Sequence, residues 1–257
     1  MTETEGLGEI VEDRLLDGRL LLRQPRKGHR AGTDAVLLAA ALPELAEGPL
    51  LDMGAGVGTV GLAAALAQPA LRVTLIERDA ELAALARDNV GANGFAQRVS
   101  VVTADVAASA AELARLGAAA GSYACVALNP PFYAAGETRA SPVANRRGAH
   151  VADVTLGTWL KTARRMLRPD GSIAVIHQAQ ALPELLAGLG PGFGAVDIRP
   201  IHGIAARPAI RVLVTARLGS RRPAALLPAL ILNRDGGGFT PESEAVHRGL
   251  AHLRPHQ

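Results

Sequence analysis

Short apolar runs alternate with helix-like segments along the chain from residue 49 onward. The runs that predict strands are PLLDMGAG, LRVTLIERD, RVSVVTAD, YACVALNP, GSIAVIHQ, AVDIRPIHG and AIRVLVTARLG. Helix-like segments between the first five predict βαβ units and a parallel sheet. Only GIAARP separates the last two runs, which is too short for a helical crossover, so we expect that pair to be antiparallel. The expected fold class is α/β with a seven-stranded, mostly parallel sheet and an antiparallel last strand.

Three of the predicted helices carry recognisable end signals. The segment DAELAALARDNVGANG predicts a helix that stops at the glycines from Gly91 to Gly94. Segment 153–168 predicts a second helix, which RPDG ends. Close to the C-terminus, Thr240–Pro241 predicts a helix start, because proline is favoured at the first helical position.

Residues 1–48 show a different pattern. Asp17–Gly18 separates two apolar stretches and predicts a β-hairpin. A helix from Asp34 to Leu42 follows, for which Thr33 or Asp34 is the expected N-cap. The predicted organisation is an N-terminal hairpin-and-helix extension over 1–48 and a main domain over 49–257.

The composition and the N-terminal sequence bear on the cellular compartment and on whether disulfides or a zinc site are expected. With 49% hydrophobic and 20% charged residues, the chain can bury a large core without disulfides. Its single cysteine, Cys125, lies in an apolar run and is expected to be a core residue. No zinc-ligand spacing occurs, so no metal is predicted. The N-terminus lacks a signal core and no run approaches a membrane span, so we expect a cytoplasmic protein.

Basic residues are unevenly distributed although the net charge is only +3. They form three clusters: Arg14, Arg19, Arg23, Arg26, Lys27 and Arg30; Arg139, Arg146 and Arg147; and Lys161, Arg164, Arg165 and Arg168. Arginine forks suit phosphates, but a general abundance of arginine explains the clusters equally well. Charge alone therefore leaves nucleic-acid binding open.

A glycine loop follows the first predicted strand in LLDMGAGVGTVGLAAALA. Gly56, Gly58 and Gly61 match G-x-G-x-x-G, and Glu77 ends the next strand. This pattern fits a dinucleotide such as NAD, whose pyrophosphate would lie at the helix N-terminus and whose ribose diol would bind the glutamate. The pattern is weak evidence by itself, and a tight strand-to-helix turn remains an alternative.

S-adenosylmethionine is the competing ligand for this loop. It also has a ribose diol, but it carries an ammonium group instead of a pyrophosphate. Asp52 would repel a pyrophosphate unless it is turned away, and Asp105 could accept a hydrogen bond from an adenine amino group or cap a helix. Since carboxyl ends of parallel strands bind ligands in such folds, Asp52, Glu77 and Asp105 together favour the methyl donor.

The fourth predicted strand ends in NPPF, Asn129 to Phe132. The Asn129 side-chain carbonyl and the Pro130 backbone carbonyl can each accept one N–H of a planar amine, which would orient its lone pair toward a methyl donor. Proline offers a carbonyl without a competing N–H, and Pro131 stiffens the turn. Phe132 can stack on the target ring, while Tyr133 either assists or packs the loop.

These motifs resemble those of class I S-adenosylmethionine-dependent methyltransferases. LDMGAGVG resembles their first motif, and NPPF resembles the motif of members that methylate planar amino or amide nitrogens. EDRLLDGRLLLRQPRKGHRAGTDAVLLAA and GFTPESEAVHRGL resemble the terminal segments of bacterial tRNA adenine-N6 methyltransferases. In this group His–Arg tends to follow the fifth strand, whereas the chain has His177–Gln178; we expect His177 to be structural.

The resemblance implies a Rossmann-like fold with helices on both faces. It also implies that the extension over 1–48 covers the cofactor site of a methyltransferase domain over 49–257, and it implies a set of site residues. The implied catalytic residues are Asn129, Pro130, Pro131 and Phe132. The implied cofactor-binding residues are Arg30, Gly32, Thr33, Asp34, Asp52, Gly54, Ala55, Gly56, Gly58, Glu77, Arg78, Asp105, Val106 and Asn129. The implied substrate-binding residues are Arg26, Lys27, Phe132, Tyr133, Arg139, Arg146 and Arg147.

Several functions remain open from the sequence. The first hypothesis is methylation of adenine N6 in RNA, with tRNA as the partner and S-adenosylmethionine as the cofactor. Methylation of a protein glutamine N5 or an rRNA guanine N2 would use the same NPP-type turn. A nucleotide-dependent dehydrogenase fits the glycine loop but gives no reason for NPPF, and the intact Asn129 and Phe132 argue against a binding protein without catalysis.

Overall fold

The structure is a computed structural model that describes residues 7–27, 32–45, 48–131 and 154–254. Its strands are β1 (Ile10–Leu15), β2 (Leu20–Pro25), β3 (Leu50–Met53), β4 (Val73–Glu77), β5 (Val99–Thr103), β6 (Tyr123–Leu128), β7 (Leu167–Gln178), β8 (Phe193–His202), β9 (Ala209–Leu218), β10 (Ala225–Leu226) and β11 (Leu230–Ile231). Its helices are α1 (Thr33–Ala41), α2 (Thr59–Ala67), α3 (Ala80–Ala92), α4 (Ala110–Arg115), α5 (Leu156–Met166), α6 (Leu182–Leu189) and α7 (Pro241–His247), and two short 3-10 turns cover Ala179–Ala181 and Gly190–Gly192.

The main sheet has the strand order β10-β8-β9-β7-β6-β3-β4-β5, and β11 also pairs with β8. Strands β3 to β7 are mutually parallel, while β9 is antiparallel to both β7 and β8. The predicted five parallel strands and terminal antiparallel hairpin are therefore confirmed. The predicted count of seven strands is two short of the nine described in this sheet. The additional β10 and β11 are two residues each and pair with β8, too short to produce a periodic pattern.

Helices cover both faces of the sheet because every buried strand carries apolar side chains on both sides. Leu50 and Leu75 belong to a core shared with α1, α2, α3 and α7. The adjacent Leu51 and Ile76 point the other way, into a core shared with α4, α5 and α6. Cys125 is fully buried in the first of these cores, as predicted, and burial raises the pKa of its thiol to about 12.

The N-terminal hairpin forms as predicted and packs on the first core. Strands β1 and β2 pair antiparallel, and Asp17 and Gly18 both have positive φ angles in the turn. Leu20 and Leu22 of β2 are fully buried where the hairpin packs on this core. Arg19 fastens the turn to the C-terminal region, since its Nη2 donates to the Arg248 carbonyl at 2.8 Å.

The predicted N-cap of α1 is wrong. Gly32 occupies the cap position, in extended backbone and without a side-chain hydrogen bond. The two residues expected to cap the helix are engaged elsewhere: Asp34 Oδ2 accepts from Arg211 Nε at 2.8 Å, and Thr33 Oγ1 lies 3.3 Å from His247 Nε2. Both partners come from the C-terminal third of the chain, so local sequence could not indicate them.

The starts of two other helices can be compared with the sequence predictions. Asp105 does not cap α4; Ser109 does, because its Oγ accepts from the Glu112 backbone N–H at 3.2 Å. The C-terminal helix begins where predicted, with Thr240 capping the Ser243 N–H at 3.2 Å. Within the described ranges, no helix is long and apolar enough to cross a membrane.

Candidate active site

Three neighbouring strand ends bring the predicted site residues together. β3 lies between β4 and β6, with Met53 opposite Ile76 on one side and Leu128 on the other. One residue further along each strand, Gly54 therefore lies between Glu77 and Asn129. The strand order thus places the glycine loop and the NPP turn side by side at the carboxyl edge of the sheet, which is where α/β sheets bind ligands.

The glycine loop after β3 has a backbone conformation that favours glycine. Gly54, Gly56 and Gly58 have φ angles of +70°, +55° and +92°, all in the left-handed region. A Cβ on Gly54 would lie 2.4 Å from Cη2 of Trp159, whereas a Cβ on Gly56 would meet open space. The loop is therefore packed closely against α5 below and open at Gly56, which leaves room for a ligand beside the backbone.

Glu77 is the carboxylate that faces this loop. It is 8% exposed, and its Oε2 accepts from the Gly56 N–H at 2.8 Å. Its Oε1 accepts from the Asp79 N–H, also at 2.8 Å. The side chain is thus fixed between the loop and the start of α3. In that position its remaining lone pairs can accept hydrogen bonds from a pair of adjacent hydroxyl groups.

Asp52 has a different role from the one its place in the motif indicates. Its side chain is 2% exposed, and Oδ2 accepts from the Gly61 N–H at 2.9 Å, inside the first turns of α2. Burial raises the pKa of Asp52 to about 7, and the nearby Glu77 charge adds to the rise. Oδ2 is thus held by α2, and with a pKa of about 7 the group is only partly ionised near neutral pH, which weakens its repulsion of a pyrophosphate. That argument from the sequence therefore no longer separates the two cofactors.

Asp105 and its neighbours form the outer wall of the site after β5. The Asp105 side chain is 42% exposed, with Oδ2 3.8 Å from Arg78 Nη1 and Oδ1 accepting from the Ala107 N–H at 2.7 Å. Val106 is buried against the second core. The arrangement offers an exposed carboxylate beside an apolar side chain, which suits an aromatic ring bearing an amino group.

The NPP turn follows β6 on the other side of the glycine loop. Asn129 is half-buried, Pro130 is buried and Pro131 is exposed. Among the described residues, none forms a hydrogen bond with the Asn129 side chain. A carboxamide oxygen and a prolyl carbonyl are both hydrogen-bond acceptors, so each could take one N–H of an incoming amine.

Other predicted site residues lie at the start of α1 or outside the described residues. Gly32, Thr33 and Asp34 reach the same edge of the sheet, because Arg211, the partner of Asp34, is in register with Gln178 at the end of β7. Arg26 and Lys27 are exposed at the end of the hairpin, and Arg26 Nε lies 3.0 Å from Glu9. The predicted residues outside the described ranges are Arg30, Phe132, Tyr133, Arg139, Arg146 and Arg147.

Three residues that contribute to the site architecture were not predicted. Trp159 packs beneath Gly54, Arg211 holds Asp34, and Asn89 donates to the Val57 carbonyl within the glycine loop at 3.0 Å. Each acts on a partner at least 30 residues away in sequence. The amphipathic pattern of α3 does offer one signal, since Asn89 is a fully buried polar residue on its apolar face.

Comparisons with known proteins give this geometry a family context. The family model for the methyltransferase small domain matches residues 30–198. A tRNA1(Val) (adenine(37)-N6)-methyltransferase from Dickeya chrysanthemi is 30% identical over 227 residues, covering 85% of this chain and 86% of that protein. The enzyme of the same name from Erwinia tasmaniensis is 31% identical over 199 residues, covering 76% of this chain and 78% of its own.

Solved structures share the fold. A protein from Agrobacterium tumefaciens, described as a predicted O-methyltransferase, superposes with a TM-score of 0.73 at 29% identity and covers 87% of this chain and 100% of its own. TYW2 from P. horikoshii, solved in complex with MeSAdo, superposes with a TM-score of 0.53 at 13% identity, covering 82% and 72% respectively. The second likeness concerns the fold alone.

Proposed function

The chain belongs to the methyltransferase small domain family, and we propose that it transfers a methyl group from S-adenosylmethionine to the exocyclic N6 of an adenine in tRNA. The observation that carries the proposal is the position of the NPP turn beside the glycine loop. Asn129 and Glu77 flank Gly54 in the register of the three strands. The names of the adenine-N6 relatives support adenine as the acceptor.

The residues of the loop and the neighbouring strand ends suit S-adenosylmethionine. When bound, this cofactor supplies an electrophilic methyl group on a sulfonium centre. Glu77 would accept from the ribose hydroxyls, and Asp105 with Val106 would contact the adenine ring. The backbone of the glycine loop would lie along the cofactor, with Gly56 offering the open approach. The proposed cofactor contacts are Arg30, Gly32, Thr33, Asp34, Asp52, Gly54, Ala55, Gly56, Gly58, Glu77, Arg78, Asp105, Val106 and Asn129.

Asn129 and Pro130 would perform the chemistry by holding the amine. An exocyclic adenine amine is a weak nucleophile because its lone pair is delocalised into the ring. Two acceptors, one for each N–H, would turn that lone pair toward the methyl carbon and stabilise the positive charge that develops on nitrogen. The new N–C bond would form as the S–C bond breaks, with S-adenosylhomocysteine as the leaving group, and one proton would leave the methylated nitrogen for water. A neutral carboxamide suits this task because it accepts a hydrogen bond without taking the proton.

The basic hairpin would contact the RNA. Lys27 lies five residues before Gly32, a span of at most about 18 Å of extended chain, so the hairpin end stays within reach of the site. We propose that residues 1–48 act as an extension over the site and that Arg26 and Lys27 contact phosphates. Phe132 and Tyr133 would stack on the target base, and Arg139, Arg146 and Arg147 would add phosphate contacts. A cytoplasmic location belongs to the same proposal, because that is where tRNA is modified.

Labelled methyl transfer tests the proposed function. The purified protein is incubated with radiolabelled S-adenosylmethionine and, separately, with tRNA, rRNA and ribosomal protein fractions from cells that lack it. We expect label in tRNA, which nucleoside analysis identifies as N6-methyladenosine. Label in protein alone would indicate glutamine methylation, and label in rRNA as N2-methylguanosine would indicate the guanine alternative; either result would overturn the adenine proposal.

A further inference from the structure

Asn89, in the last turns of α3, joins two parts of the molecule that sequence analysis treats separately. Its side chain is fully buried. Nδ2 donates to the carbonyl of Arg23 at 2.9 Å and to the carbonyl of Val57 at 3.0 Å. Oδ1 accepts from the Arg23 N–H at 2.8 Å. One carboxamide therefore binds both the second strand of the hairpin and the glycine loop.

Asn89 contacts the glycine loop next to the residue that binds Glu77. Val57 lies between Gly56, whose N–H donates to Glu77, and Gly58, which has a φ of +92°. One left-handed glycine lies on each side of this carbonyl, and the loop has no strand pairing of its own. The Val57–Gly58 peptide is held at both ends: its N–H, that of Gly58, donates to the Ala55 carbonyl at 2.8 Å within the loop, and its carbonyl accepts from Asn89 at 3.0 Å. Asn89 is the donor that comes from outside the loop.

We propose that Asn89 is a positioning residue that sets the glycine loop in its cofactor-binding conformation and couples it to the basic hairpin. The inference rests on the proposed function, because it assumes that the loop binds S-adenosylmethionine. Through Asn89, a displacement of β2 on RNA binding reaches the Val57 carbonyl and, one residue away, the N–H that orients Glu77. Cofactor affinity and hairpin position are thereby linked, and such a linkage is reciprocal.

Only a carboxamide meets the demands of this position. The three bonds need two donors and one acceptor on the same side chain, and a carboxylate has no donor. The site is buried, so an unsatisfied carbonyl there is costly and the loop would move to regain a partner. Removing Asn89 should therefore displace the Val57 peptide and misplace the Gly56 N–H beside it.

Asn93, one helical turn later, is a matched control. Its side chain clamps the same strand, with Oδ1 accepting from the Leu21 N–H at 2.9 Å and Nδ2 donating to the Leu21 carbonyl at 2.7 Å. Its third bond goes to the Asn89 carbonyl within its own helix at 2.8 Å, not to the glycine loop. The two asparagines thus hold the hairpin alike and differ in their contact with the loop.

Calorimetric titration of S-adenosylhomocysteine into Asn89→Ala and Asn93→Ala, at a temperature where circular dichroism shows both folded, tests the proposal. We expect Asn89→Ala to weaken binding about tenfold and Asn93→Ala less than about twofold, since only the first loses a hydrogen bond to the loop. Equal weakening by both variants, or none by Asn89→Ala, would overturn the assignment.

Hydrogen exchange in the wild-type protein keeps the test valid if Asn89→Ala does not fold. Saturation with S-adenosylhomocysteine should slow exchange of the Arg23 amide, which Asn89 binds, about fivefold more than exchange of the Leu21 amide, which Asn93 binds. Equal protection of the two amides would contradict the coupling. Failure of the wild type to bind S-adenosylhomocysteine at all would instead refute the proposed function, and this inference with it.

Discussion

The loops after β3 and β6 leave the sheet side by side, yet they are held in opposite ways. In the loop after β3, the N–H groups of Gly54 and Ala55 both donate to the Ile76 carbonyl, and Gly56 donates to Glu77. In the turn after β6, prolines fix the backbone, and within the described part of the chain the Asn129 side chain has no hydrogen bond. The backbone of the first loop is fixed by hydrogen bonds to β4, and that of the second is restricted by the pyrrolidine rings of Pro130 and Pro131.

The difference matches what each loop is proposed to do. A cofactor with many polar groups is bound by a backbone held in one shape before the ligand arrives, which lowers the cost of binding. An amine that reacts needs acceptors that are free until the substrate is present. Substitutions on the two sides should therefore separate cofactor binding from catalysis. Two measurements test that separation directly, and two more test the buried carboxyl group beside the glycine loop and the RNA contact of the hairpin.

The largest effect is expected at Asn129. Replacing it with alanine should lower kcat by about 10²- to 10³-fold, the range seen when one preorganised transition-state contact is removed. Binding of S-adenosylhomocysteine should change less than about threefold, because Asn129 is only one of many proposed cofactor contacts and its carboxamide acts chiefly on the acceptor. Single-turnover methylation of tRNA and calorimetry give the two values. A variant with a near-normal rate would show that the turn does not orient the amine.

Glu77→Gln should weaken cofactor binding more than it lowers the rate of methyl transfer. The carboxylate accepts two backbone N–H groups, from Gly56 and Asp79, whereas an amide would direct an NH₂ group at one of them. We expect affinity for S-adenosylhomocysteine to fall about tenfold to a hundredfold, or about 1.4–2.8 kcal/mol, with a smaller effect on the rate at saturation. Glu81→Gln, on the exposed side of α3, is the control and should bind normally.

Asp52→Asn should remove a pH dependence of stability. The folded-state pKa of about 7 lies above the ordinary pKa of an aspartate, 3.8, so the stabilisation is present below about pH 4 and is lost as the pH rises through about 7. Between about pH 5.5 and 7.5 the loss is about 2 kcal/mol, given about 1.36 kcal/mol per pKa unit. Asparagine keeps an acceptor for the Gly61 N–H and should flatten the curve obtained by urea unfolding. Asp105→Asn, at an exposed carboxylate, is the control; an unchanged slope in Asp52→Asn would show that another group titrates.

The smallest effect is expected at the hairpin. Lys27→Ala should weaken tRNA binding about twofold to fivefold and reduce the slope of log affinity against log salt by about one, as loss of one phosphate contact predicts. Arg72→Ala, exposed just before β4 at the opposite edge of the sheet, removes the same charge and should leave the slope unchanged. Equal slopes for the two variants would place the RNA elsewhere.

The existence and parallel direction of the central strands could be predicted because each is a continuous apolar run separated from the next by a helix. β4 ends at Glu77 as predicted, and the antiparallel pairing of β8 and β9 follows from the six residues between them. The meeting of Gly54, Glu77 and Asn129 at one edge follows in turn, since carboxyl ends of parallel strands share an edge. Local pattern sufficed for these features.

Features that depend on distant partners could not be predicted. Asp52 reads as a ligand-binding carboxylate in its motif, but the fold buries it under α2, which only the packing of that helix decides. Thr33 and Asp34 have the residue types of N-caps, and contacts with His247 and Arg211 draw them away. Asn89 could be identified as a polar residue on an apolar helix face, but its two partners required the tertiary structure.

The burial of Cys125 has a practical consequence for spectroscopy. It is the only cysteine in the chain, it is fully buried, and burial raises the pKa of its thiol to about 12. Because the thiolate is the species that reacts with maleimides, the natural protein should remain unlabelled under native conditions. A cysteine introduced at an exposed hairpin position, as in Arg14→Cys, would then accept a fluorophore at one site without a cysteine-free background. The signal from that dye would report directly on movement of the hairpin when tRNA binds.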